Sequence, residues 1–153
     1  MRIKEYFHQE KLSQIDKSII QNIRDTLQAL EWQKRHSSKD FRDTLLKSLG
    51  TFGWSNRVRI DQRSKINITS VLNDVGLCLQ TGNMSRFYAD LLKLETIYRK
   101  EIIQGAIYIL PDKDWAKKLG ANRANYERLV EELKIFEATV TIPIMIFGIS
   151  GEK

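Results

Sequence analysis

The sequence predicts an α/β sandwich: a mixed β-sheet with helices on its faces, preceded by a helical N-terminal segment. Three observations carry this. Apolar residues recur at three- and four-residue steps in several stretches, the period of an amphipathic helix. Between these stretches lie short alternating or continuous apolar runs bounded by turn residues, as in strands. Finally, an apolar run, an amphipathic helix and a second apolar run follow one another within about 35 residues, which is the length of a βαβ unit.

The elements follow in order. Asp16 is placed to cap a helix reaching about Arg35, with Ile20, Ile23, Leu27 and Leu30 on one stripe. Such a stripe suits packing on the core and would equally suit a dimer seam. Ser37 or Ser38 caps a second helix, with Phe41, Leu45, Leu46 and Leu49 facing inward and Gly50 as its stop. The stretch TFGWSN reads as a loop. Residues 57–61 and 66–71 alternate, residues 72–74 turn, and residues 75–80 form a buried strand, together an antiparallel meander. Asn83 caps the next helix, which carries Met84, Phe87, Tyr88, Leu91, Leu94, Ile97 and Tyr98 inward, with Ala89 and Leu92 widening the stripe. Residues 106–110 form an apolar strand ended by Pro111, and the crossover between the two strands is expected to be parallel and right-handed. Asp112 caps a short helix holding Trp115 and Leu119, stopped by Gly120. Residues 122–137 form a further helix with Tyr126, Leu129, Val130, Leu133 and Phe136 inward. The last strand spans residues 142–149, with Pro143 at its start or on an edge because proline cannot donate to a ladder.

A length of 153 residues fits one domain, 1–153, with a helical segment at 1–50 and the sheet-bearing core at 55–150. The net charge of +6 and pI near 9.5 suit a polyanionic partner such as nucleic acid, and equally a merely basic surface. The N-terminus lacks the apolar core of a signal peptide, and no apolar run approaches the ~20 residues of a membrane span. A cytoplasmic protein with no membrane partner is the expectation. The single cysteine, Cys78, excludes an internal disulfide and a cysteine-based zinc cluster. A thiol nucleophile needs a histidine base, and the two histidines, His8 and His36, lie in the N-terminal part. Cys78 therefore reads as structural. No GxxxxGK[ST], GxGxxG or GxSxG motif is present.

Metal-assisted phosphodiester hydrolysis is the chemistry that the meander and its helix could scaffold, since neighbouring strand ends can hold ligands rigidly. The run from Ile66 through Leu94, with the later stretches IYILP and IPIMIFGIS, resembles the BglII/BstYI branch of type II restriction endonucleases. The resemblance covers roughly residues 55–150, and less specifically the N-terminal helices. It implies a PD-(D/E)xK restriction-endonuclease-like core, double-stranded DNA as partner, Mg²⁺ as cofactor and a homodimer. The signature of that branch is an aspartate on one strand and, nine residues later, Glu-x-Gln on the next. Gln80 matches the glutamine, Cys78 falls on the glutamate and Thr69 on the aspartate, without a gap. Both metal-binding carboxylates are thus replaced, and a thiol and a hydroxyl are poor ligands for a hard cation. No metal site is assigned from the sequence. Asp61 and Asp74 are candidate relocated ligands, with Asp90 a third nearby carboxylate.

Three functional readings remain. The first is a restriction-endonuclease-like protein that binds DNA and has lost cleavage. It would act as a regulator, as the heteromeric partner of an active nuclease, or as an anti-defence protein. Its phosphate contacts would be Arg57, Arg59, Arg63, Lys65 and Arg86, with Lys113, Lys117, Lys118 and Arg123 as a second patch. The second is an active Mg²⁺ endonuclease using relocated carboxylates. The third is a protein-interaction module acting through the Ile20/Ile23/Leu27/Leu30 helix.

Overall fold

The computed structural model describes residues 1–31 and 37–151. The chain forms a five-stranded mixed sheet of order β1-β7-β6-β5-β4, a separate two-stranded ribbon and flanking helices. The strands are β1 (Arg2–His8), β2 (Val58–Arg59), β3 (Asn67–Ile68), β4 (Ser70–Leu72), β5 (Val75–Leu79), β6 (Gly105–Pro111) and β7 (Ile144–Ser150). The helices are α1 (Lys17–Ala29), α2 (Ser38–Gly50), α3 (Ser85–Arg99), α4 (Lys113–Leu119) and α5 (Tyr126–Ile135).

Side chains alternate across a strand, so each central strand feeds two cores. Leu77 and Leu79 of β5, Ile107 and Ile109 of β6, and Met145, Phe147 and Ile149 of β7 meet α1, α2 and Trp115 of α4 on one face. Cys78, Tyr108, Ile144 and Ile146 point the other way and are covered by α3 and α5. This explains why β5 and β6 read as continuous apolar runs: they are buried on both faces. The stripe of α1 packs inward as well, with Ile20 nearly buried and Ile23 and Leu27 fully so. It is a core face, so the interaction-module reading loses its surface.

The βαβ unit is present as expected: β5, α3 and β6, with the two strands parallel and Cys78 opposite Tyr108. The predicted caps also form. Asp16 accepts from Ser18 N, Ser37 and Asp40 make a reciprocal capping box, and Asp112 accepts from Trp115 N. At α3 the N-cap is Met84 rather than the expected Asn83, although Asn83 Oδ1 accepts the Ser85 N–H at the first residue of the helix.

Several expectations need correction. The helical reading of residues 1–50 fails at its start, because Arg2–His8 is an edge strand antiparallel to β7. The first helix ends at Ala29, and its expected extension to Arg35 falls largely in residues 32–36, outside the described residues, as does His36. The expected strand 66–71 is split. Asn67–Ile68 pairs with β2 in the ribbon, Ser70–Leu72 pairs with β5, and Thr69 sits at the break. Leu92 does not widen the buried stripe of α3, being 70% exposed. The last helix is shorter than 122–137. It is capped by Asn125 and leaves Phe136 on the surface.

Candidate functional site

Parallel strands in an α/β sheet open crevices at their carboxyl ends, where backbone and loops can meet a ligand. Such a groove lies at the end of β5, with a volume of about 660 Å³. Its floor is Thr69, Leu79, Gln80, Thr81 and Gly82, and its walls come from α2, the β2–β3 ribbon and α3. The loop after β5 is pinned by backbone hydrogen bonds from Met84 N to Asn122 O (2.9 Å) and from Ala124 N to Gly82 O (3.0 Å).

The groove is strongly basic. Among the described residues Lys39, Arg42, Arg57, Arg86, Lys93 and Arg123 line it, against the single carboxylate Asp90. Lys39, Arg57 and Arg86 form no ion pair among the described residues. Arg42 is half-buried and donates from Nη1 to Leu79 O at 3.0 Å. Its pKa is lowered, first by burial and then by the nearby Arg57 charge. Arg123 donates to Thr81 O at 3.3 Å and also lines a second hollow of about 420 Å³ with Lys113 and Lys117. The second basic patch is therefore continuous with the first through Arg123.

Below this cationic rim the polar groups are tied to one another. Gln80 Nε2 donates to Asp90 Oδ2 at 2.8 Å, and the Tyr108 hydroxyl donates to the same oxygen at 2.7 Å. Gln80 Oε1 accepts the Gly82 N–H at 2.9 Å, and a Cβ at Gly82 would stand 2.8 Å from that oxygen. Lys93 Nζ reaches Asp90 Oδ1 at 3.4 Å. Thr69 Oγ1 accepts the Leu79 N–H at 3.1 Å. Cys78 is 2% exposed under α3, and burial, then the Asp90 charge, push its pKa well above the usual thiol value. The same two causes raise Tyr108.

The structure thus brings Thr69 and Gln80 together in the groove with Arg57 and Arg86, while Cys78 lies outside its lining, buried under α3. Arg59, Arg63 and Lys65 are exposed on the ribbon and its turn, outside the groove lining. The relocated-ligand candidates are not brought in. Asp61 lies in the ribbon turn, where Oδ1 accepts the Arg63 N–H at 2.7 Å. Asp74 lies at the opposite end of β5 from Gln80, roughly 20 Å away at ~3.3 Å per residue. Sequence reading missed Lys39, Arg42 and Lys93 as groove residues and the central position of Asp90. A basic residue four or five positions into a capped helix was the available signal for Arg42, and it does not tell where that helix docks.

The donor set does not fit Mg²⁺. Among the described residues no three His, Cys, Asp or Glu side chains gather where they could hold a metal ion. A magnesium site wants carboxylate oxygen in octahedral array. Here the thiol is buried and held neutral, the threonine oxygen accepts a backbone N–H, and Asp90 is engaged by Gln80, Tyr108 and Lys93.

A model of the family described as restriction endonuclease BglII/BglIII matches residues 3–149. Among solved structures, the chain is similar to restriction endonuclease BglII complexed with a DNA 16-mer. The TM-score is 0.83 and the identity 14%, covering 97% of this chain and 76% of that one. It is similar to free BglII with TM-score 0.73 and 14% identity, covering 100% and 81%. At such identity these likenesses speak for the fold. No curated protein matches the chain. Among the described residues no helix is long and apolar enough to cross a membrane.

Proposed function

Because the chain belongs to the BglII/BglIII restriction endonuclease family, we propose that it binds double-stranded DNA in the basic groove at the end of β5 and does not cleave it by a Mg²⁺ route. One observation carries this reading. Among the described residues the groove sets six cations against one carboxylate, and that carboxylate is already engaged. Duplex DNA presents closely spaced phosphates to which such a surface is complementary. A hydrolytic site would instead need several carboxylates to hold its metal.

Phosphate contacts position a protein on the duplex without reading its sequence, so the groove accounts for affinity rather than specificity. Arg57, Arg86, Lys39 and Lys93 are the proposed contacts. Arg59, Arg63 and Lys65 extend the same basic surface along the ribbon. The family implies a homodimer, and a heteromer with an active nuclease would serve equally. Sedimentation of the protein alone separates the two.

The test has two arms. Fluorescence anisotropy with a labelled duplex at low salt is expected to show binding that weakens as salt rises. Incubation with supercoiled plasmid and Mg²⁺ or Mn²⁺ is expected to leave the plasmid intact. Cleavage abolished by Asp90→Ala, Asp61→Ala or Asp74→Ala would establish the active-nuclease reading instead. That reading has one observation in its favour, the presence of Asp90 in the groove.

A further inference from the structure

The metal that the family implies has no fitting ligand set here, yet the strand end that would hold it is not without positive charge. Arg42 reaches it from the opposite sheet face. Its Nη1 donates to Leu79 O, the carbonyl between Cys78 and Gln80, at 3.0 Å. The N–H of the same residue is taken by Thr69 Oγ1 at 3.1 Å. Both backbone groups of Leu79 are therefore engaged, one by the residue at the aspartate position and the other by a guanidinium.

We propose that Arg42 is a further phosphate-holding cation of this groove, standing at the strand end where the family places a divalent metal, so that the protein grips a backbone phosphate of duplex DNA there without any metal. The inference rests on the DNA-binding reading above and goes beyond it by naming the contact and its metal independence.

Four observations carry it. First, a guanidinium has five N–H donors, and among the described residues Leu79 O is the one protein group Arg42 bonds. The others are left to the groove that Arg42 lines. Second, the bond to Leu79 fixes the plane of the guanidinium, which favours bidentate contact with a phosphate. Third, the charge of Arg57 acts on Arg42 more strongly than the carboxylate of Asp43 or of Asp90 does, and neither arginine forms an ion pair among the described residues. Two like charges held together at a groove wall suit an anion placed between them. Fourth, a fixed positive charge at this strand end repels a divalent cation, which agrees with the missing carboxylates at Thr69 and Cys78.

The experiment titrates a labelled duplex with the full chain at several salt concentrations, in EDTA and in Mg²⁺ at matched ionic strength. Equal affinity in both is expected. At least tenfold tighter binding with Mg²⁺ would overturn metal independence. Arg42→Ala is expected to lose about tenfold in affinity and to reduce the slope of log K against log salt by about 0.9, the loss of one phosphate contact. Arg42→Lys is expected to keep the slope, because one charge remains, but to bind several-fold more weakly for want of the bidentate fork, and Lys47→Ala, outside the groove, to change neither quantity. If Arg42→Ala proves unstable, Arg42→Lys and the EDTA comparison still decide: full wild-type affinity in Arg42→Lys, or a metal requirement, overturns the inference. An unchanged slope in Arg42→Ala with a reduced one in Arg57→Ala would remove Arg42 from the contact while leaving DNA binding in place. Absence of binding by the wild type at low salt would overturn the DNA reading itself.

Discussion

Burial decides the chemistry of Cys78. The thiol is packed under α3, with its pKa raised by desolvation and then by Asp90. Only the thiolate is a good nucleophile, so native protein is expected to react slowly with a disulfide reagent and quickly once unfolded in urea. Rapid labelling of the folded protein would show that α3 opens over this face. Asp90 is the matching case among the carboxylates. Its removal would strand the Tyr108 hydroxyl and the Gln80 amide, so Asp90→Ala is expected to destabilise the fold by roughly 2–3 kcal/mol, read from urea denaturation. An unchanged midpoint would mean that water replaces the carboxylate at no cost. At this scale part of the site was legible in the sequence. The Thr69, Cys78 and Gln80 set came from the signature of the resembled endonuclease branch, whose spacing is short enough to be matched along the chain. Arg42 was not legible, since its partner Leu79 is 37 residues away and only the docking of α2 joins them.

Helix ends carry the groove, so their caps matter to it. The Ser37–Asp40 capping box fixes the first turn of α2, which delivers Lys39 and Arg42. Ser37→Ala is expected to cost about 1 kcal/mol of stability and to weaken DNA binding measurably. A loss of stability with full DNA affinity would separate the cap from the groove. At the other end of α3, Glu95 accepts from Thr141 N (3.0 Å), Thr141 Oγ1 (2.5 Å), Ile142 N (2.9 Å) and Arg99 Nε (2.9 Å). Burial pushes its pKa up, but these hydrogen bonds outweigh burial and hold it below the usual 4.5. A carboxylate lowered in the folded state contributes stability above its unfolded pKa and loses it as pH falls through the folded value. Glu95→Gln is therefore expected to lower stability at neutral pH and to flatten the fall in stability below about pH 4.5. Parallel curves for the two proteins would rule out that linkage. The elements legible in the sequence were those with their own period and cap: α2, α3, α4 and the β5–α3–β6 unit. The edge strand β1 was not, because RIKEYFH has a weak apolar pattern and its partner is the far end of the chain, Arg2 opposite Ser150. The split of residues 66–71 was likewise invisible, since alternation is the same whether a strand pairs with one neighbour or changes partner midway.

Over the whole molecule the charge of +6 is unevenly placed. Among the described residues some surface cations outside the groove are neutralised locally, as in Arg24–Glu5, Arg99–Glu95 and Arg128–Glu132, while others, such as Lys47 and Lys100, are not. Those of the groove are not, apart from Lys93 with Asp90. If the position of charge governs binding, two variants of equal net charge must differ. Arg57→Glu with Arg86→Glu reverses two groove cations. Lys47→Glu with Lys100→Glu reverses two exposed lysines outside the groove lining. Each pair lowers the net charge by four. The groove pair is expected to abolish most duplex binding and to reduce the salt slope by about two contacts' worth, roughly 1.8. The distant pair is expected to slow association somewhat through the weaker overall field, while leaving the slope nearly unchanged. Equal losses in the two variants would make binding a property of net charge alone, and the groove would then be no more than the most basic part of a basic surface. A loss confined to the first variant would fix the duplex at the end of β5, which is where the fold sets Thr69, Gln80 and the guanidinium of Arg42.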